Sequence, residues 1–197
     1  MPYGTSSDDV IRRLTGEQAL RIVQQLSRRG GEIGDAIRAD AMNVLTGVHW
    51  GETAEEVFCG LDSLEVEDCW DRSGSSRDGC TSPDEAAAEM IEAELQRFSD
   101  QLERYHELGM PEQESAYCMG VILGLYRFAR ESESEFRDWS TDIPAECARD
   151  LLDQWLERNR EARRIDAMHD FIREHCPEDH AALHRCQRSS LMRNRMQ

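Results

Sequence analysis

Between Ser82 and Arg130 the chain specifies both ends of two helices and the turn that joins them, and this unit constrains the fold more than any other segment. Ser82-Pro83-Asp84-Glu85 supplies an N-cap hydroxyl, a proline at the first helical position and a Glu that can reach back to the cap. Ala87, Ile91, Leu95, Phe98, Leu102 and Tyr105 then step by threes and fours along one face until Gly109, a residue suited to a left-handed helix stop. Pro111 opens the return helix almost at once, and so short a connection forces the two helices antiparallel and adjacent. The second, from Glu112 to about Arg130, is apolar nearly all round through its middle, which predicts the centre of the core. Gly120 and Gly124, four apart on it, would let a neighbouring helix approach closely.

The flanking segments carry the same helical period. Thr15 with Gln18 forms a capping box ahead of Leu20, Val23 and Leu26, and Gly30–Gly31 ends that run. A second helix is predicted from Glu32 to about Leu45, with Ile33, Ala36, Ile37, Ala41, Val44 and Leu45 on its apolar face. After a break at His49–Trp50–Gly51, Thr53 and Glu56 form another capping box before Val57, Phe58, Leu61 and Leu64. Residues 65–80 form the longest irregular stretch, and residues 131–140 a polar link containing Phe136 and Trp139. A further helix begins near Asp142 and Pro144 and presents Ala148, Leu151, Leu152, Trp155 and Leu156 to the core. The charged run 157–164 reads as an exposed bridge to a second, smaller packing site at Ile165, Met168, Phe171 and Ile172. No stretch alternates long enough to predict a strand, so the expected class is all-α, an antiparallel helical bundle or TPR-like helical array. The expected division is a helical core at 1–160 and a helical appendage at 161–197, either separate or part of the same domain, ending in a basic segment that holds Arg185, Arg188, Arg193 and Arg195.

All 23 basic residues among the 197 are arginine, against 40 acids, for a formal charge of −17. Such a surface repels phosphate backbones, which excludes general nucleic-acid binding. A salt-rich cytoplasm or a GC-rich genome would each produce this composition; a basic partner or mimicry of nucleic acid would each exploit it. The absence of lysine removes Schiff-base chemistry. No charged segment followed by an apolar one opens the chain, and the longest apolar run, 116–126, falls well short of the ~20 residues of a membrane span. A cytoplasmic protein with no membrane contact is expected, its seven cysteines present as free thiols.

The stretch from Leu61-Asp62-Ser63-Leu64 through Glu65-Val66-Glu67-Asp68-Cys69-Trp70-Asp71-Arg72-Ser73-Gly74, followed by Ser82-Pro83-Asp84-Glu85-Ala86-Ala87 and Leu108-Gly109-Met110, resembles a helical region of uncharacterised prokaryotic proteins. Some of these also carry a SWIM-type zinc finger. The resemblance spans about Thr53 to Trp155 and implies a TPR-like helical array without an established chemistry. The Cys-x-Cys and Cys-x-His pairs of the finger itself are absent from this sequence.

Three constellations could carry chemistry. Cys176, His180 and His184 step by four and would project from one helix face, where thiolate and imidazoles could bind zinc. Glu103-x-x-His106 and Asp166-x-x-His169 match the Glu-x-x-His spacing of di-iron bundles, though the apolar return helix offers no carboxylate through its middle. The 65–80 stretch holds Asp68, Asp71, Ser73, Ser75 and Asp78, but its glycine is misplaced and no Glu closes an EF-hand loop. Phosphate loops, nucleophile elbows and His-Glu-x-x-His are absent, so no catalytic residues and no resident cofactor are assigned. The expected function is a non-enzymatic protein–protein interaction module that meets its protein partner through Trp70, Asp71, Arg72 and Trp139. A homo-oligomer is compatible with it, and a metal-binding protein built on Cys176, His180 and His184 is the alternative.

Overall fold

The computed structural model describes residues 7–76 and 79–178 of the chain. Its elements run α1 (Ser7–Arg12), α2 (Gly16–Arg28), α3 (Gly31–Thr46), α4 (Trp50–Asp62), α5 (Val66–Arg72), β1 (Gly74–Ser76), β2 (Gly79–Thr81), α6 (Pro83–Glu107), α7 (Pro111–Glu131), α8 (Glu135–Trp139), α9 (Ile143–Arg158) and α10 (Ala162–His175). The fold is all-α, with β1 and β2 forming one short antiparallel hairpin. Among the described residues no helix is long and apolar enough to cross a membrane.

The chain divides into two compact units between Gly47 and Val48. In the second unit α7 is the centre, as its apolar girth predicts: Cys118, Val121, Ile122, Leu123, Leu125 and Phe128 are all buried. Gly120 and Gly124 explain how α4 reaches it. A Cβ at Gly120 would lie 2.5 Å from the Thr53 Cβ, and one at Gly124 would lie 2.5 Å from the Val57 Cβ, so the two backbones meet where only hydrogen fits. Arg127 of α7 fastens the same contact, donating to Glu55 of α4 at 2.8 Å and to Glu131 at 2.9 Å while its guanidinium lies 4.9 Å from the Phe58 ring. The α6–α7 hairpin has the predicted ends. Ser82 and Glu85 complete a reciprocal capping box, and Gly109 turns the chain at φ +64°.

Several expectations require correction. Helix α4 begins at Trp50, a turn ahead of the proposed Thr53 cap, and the Thr53 hydroxyl instead donates back to the His49 carbonyl at 3.3 Å. The described residues of the 65–80 stretch are not irregular. Helix α5 forms because Val66 and Cys69, one turn apart, both find core partners, the Cys69 thiol lying 3.5 Å from the Met90 sulfur. The link at 131–140 contains α8, capped by Ser134 and pinned by the buried Phe136. No continuous helix bridges 157–164: Asn159 is buried and its amide donates to the Trp155 carbonyl at 3.1 Å, ending α9. Beyond the break, α10 buries Met168, Phe171 and Ile172 in the same core as α7, so it belongs to the second unit.

The first unit has another character. The Thr15–Gln18 capping box forms as predicted, and α2 meets α3 where Gly34 passes the Ser27 carbonyl, which also accepts from Arg38 at 3.2 Å. Yet α2 buries no residue and α3 buries only Gly34. Leu20, Ile22, Val23, Ile33, Met42 and Val44 remain exposed, Val44 to 79%. Charge divides at the same boundary. Residues 1–47 balance six acids (Asp8, Asp9, Glu17, Glu32, Asp35, Asp40) with six arginines (Arg12, Arg13, Arg21, Arg28, Arg29, Arg38), so the whole −17 resides in 48–197.

Candidate functional site

Of the residues singled out by sequence, the structure brings Trp70 and Trp139 together. Val66 and Cys69 turn α5 so that their own side chains enter the core, which leaves the next residue, Trp70, 54% exposed. Phe136 does the same for α8, its ring 6.5 Å from that of Phe128, and Trp139 follows one turn later, half-buried against the core. The two indoles meet edge to face, with centroids 6.2 Å apart at 74°. Such a pairing contributes about 0.5–1.5 kcal/mol beyond area burial and presents a rigid apolar step. Asp71 and Arg72 stand exposed beside it. Glu67 and Asp68 are also exposed on α5, and Asp138 of α8 pairs with Arg137 at 2.9 Å, so the rim of the step is predominantly acidic. Arg137 is spanned further by the Ser132 carbonyl at 2.6 Å, which fixes α8 against the end of α7.

Of the proposed metal constellation, one member lies among the described residues. Cys176 caps the C-terminus of α10 with its N–H on the Ile172 carbonyl at 2.8 Å, and it is fully buried against Ile122, Leu125, Tyr126 and Pro144. His180 and His184 lie outside the described residues, as do the four arginines of the terminal segment. Among the described residues no three His, Cys, Asp or Glu side chains stand close enough to hold a metal ion. The Glu103–His106 pair makes other contacts: Glu103 accepts from Arg158 at 2.6 Å, and His106 Nδ1 lies 3.6 Å from Glu114.

Glu103 and Arg158, with Glu114 and Trp155, line a cleft of about 230 Å³ between α6, α7 and α9. Glu114 is buried, in the first turn of α7, where the helix dipole favours a carboxylate. His106 is in the last turn of α6, so their approach ties the two ends of the hairpin turn. The Trp155 indole N–H is buried without a hydrogen-bond partner.

Among the described residues Cys59, Cys69, Cys118 and Cys147 are free thiols. Burial pushes Cys69 and Cys118 up and Cys147 up to about 11, and desolvation with the neighbouring Glu55 raises Cys59, so none of these is held as the thiolate a nucleophile needs.

Sequence reasoning missed a second aromatic surface. Trp50, taken for part of a break, is 41% exposed and lies 5.3 Å from the Phe171 ring and 5.0 Å from that of His175. The only local signal was the i, i+4 spacing of Phe171 and His175. No family model, curated protein or solved structure matches the chain.

Proposed function

We propose that this protein is a non-enzymatic helical interaction module whose second unit meets a protein partner on the Trp70–Trp139 step. The observation that carries the reading is Trp70, more than half exposed on a helix whose other large apolar residues are buried. Tryptophan is enriched among residues that dominate binding energy, because it buries a large area at little entropic cost. The acidic rim selects the occupant: an apolar or aromatic anchor flanked by arginine or lysine would seat on the indoles and pair with Asp71, Glu67 and Asp138. A surface carrying −17 also steers a basic partner toward it.

A peptide array of apolar-anchored, basic-flanked segments, probed with the purified chain, tests this reading. Binding by a subset should weaken by at least about tenfold in Trp70→Ala and in Trp139→Ala, and be unaffected by Glu174→Gln on α10. An array with no binder sensitive to Trp70 would remove the step as the partner face.

A further inference from the structure

We infer that the first unit is a self-association element: two copies of the α2–α3 hairpin pair as an antiparallel four-helix bundle, α2 of one copy against α3 of the other. The starting point is an apolar face that the chain itself leaves uncovered. Leu20, Ile22 and Val23 on α2, and Ile33 and Val44 on α3, recur at helical spacing beside the half-buried Leu26 and Ile37, yet all five are exposed. Helices of 13 and 16 residues are marginal in water without an apolar face to bury.

Charge identifies the occupant. Helix α2 with its C-cap Arg29 carries Glu17, Arg21, Arg28 and Arg29, a net of +2, while α3 carries Glu32, Asp35, Arg38 and Asp40, a net of −2. A two-fold axis that sets α2 against α3 of the second copy satisfies both contacts at once, since each is the image of the other. The unit is neutral as a whole, whereas two copies of the second unit repel through −17 each, so the hairpin is the face on which copies of this chain can meet. An anionic lipid surface is a poorer match, because an interfacial helix pair presents a basic polar face and α3 is acidic.

Sedimentation velocity of the full chain tests this pairing. Wild type should run at twice its 22.6 kDa chain mass. Arg21→Glu/Arg28→Glu makes both helices negative and Asp35→Arg/Asp40→Arg makes both positive, so each variant alone should be monomeric. Mixed in equal amounts, the two variants should restore the dimer as a heterodimer, which a variant that merely misfolds cannot do. Val23→Glu/Val44→Glu should be monomeric with or without a partner. A wild type that stays at 22.6 kDa at high micromolar concentration overturns the inference. So do charge variants that dimerise like wild type, a mixture that stays monomeric, or a monomer that co-sediments with phosphatidylcholine–phosphatidylglycerol vesicles.

Discussion

Helix α3 and helix α7 use the same grammar to opposite ends. Both carry apolar residues at helical spacing and both contain a glycine that lets a neighbouring backbone pass closely, at Gly34 in one and at Gly120 and Gly124 in the other. Around α7 the contact is extended: α4, α6, α9 and α10 wrap it, and its large side chains disappear from solvent. Within its unit α3 crosses α2 at Gly34, and Ile33 and Val44 are exposed in the single chain. A periodic apolar face therefore states that a helix needs a cover, while only tertiary structure says whether the chain provides it.

The contrast should be starkest on truncation of a large side chain. Phe128→Ala, at a fully buried site, is expected to destabilise the second unit by about 3–5 kcal/mol in urea unfolding. Val44→Ala should leave the same transition within about 0.5 kcal/mol of wild type. Equal losses at the two sites would mean that the hairpin face is covered after all.

Next in size is the glycine contact. Gly124→Ala must push a methyl group toward the Val57 side chain and the Ala54 carbonyl, and it should cost about 1–3 kcal/mol, read as a lower midpoint of the same transition. At Gly31 no atom lies within 4 Å of an added Cβ, so Gly31→Ala meets only the strain of φ +69° and should act on the hairpin alone.

Helix caps sharpen the comparison at the level of about 1 kcal/mol. Ser82→Ala and Thr15→Ala each delete the hydroxyl of a complete capping box. The first should lower the stability of the core unit by about 1 kcal/mol. The second should reduce helical circular dichroism without moving the cooperative midpoint.

One partly buried phenol adds a pH dependence. Burial raises Tyr117 from 10.0 to about 12, so folding favours the protonated phenol. The folded chain then holds a proton that the unfolded chain has released above pH 10, and stability falls as pH rises from about 10 through about 12. Tyr117→Phe should flatten that decline, and absorbance of the ionised phenol would place the titration.

Much of this was legible before any coordinates. The α6–α7 hairpin announces itself because its caps, proline and turn glycine are local chemistry, and Gly120–Gly124 announces a close neighbour without naming α4. What stayed hidden was decided by distant partners. Helix α5 has only two buried residues and exists because α6 receives them. The Thr53 cap looked complete in sequence, but Trp50 packs on Phe171 and His175 and the helix starts a turn earlier. Asn159 ends α9 inside a run that charge alone reads as continuous. The meeting of Trp70 with Trp139 joins residues on α5 and α8 whose spacing carries no signal, although each was singled out as a partner-contacting residue.

Amide hydrogen exchange on the full chain, followed across a wide range of protein concentration, tests the contrast between the two units most directly. Amides of α4, α7 and α9 should exchange slowly and independently of concentration, whereas those of α2 and α3 should exchange fast when dilute and gain protection as copies associate. Protection of α2 and α3 equal to that of α7 at every dilution would contradict the account, because it would mean that the chain covers its own N-terminal hairpin.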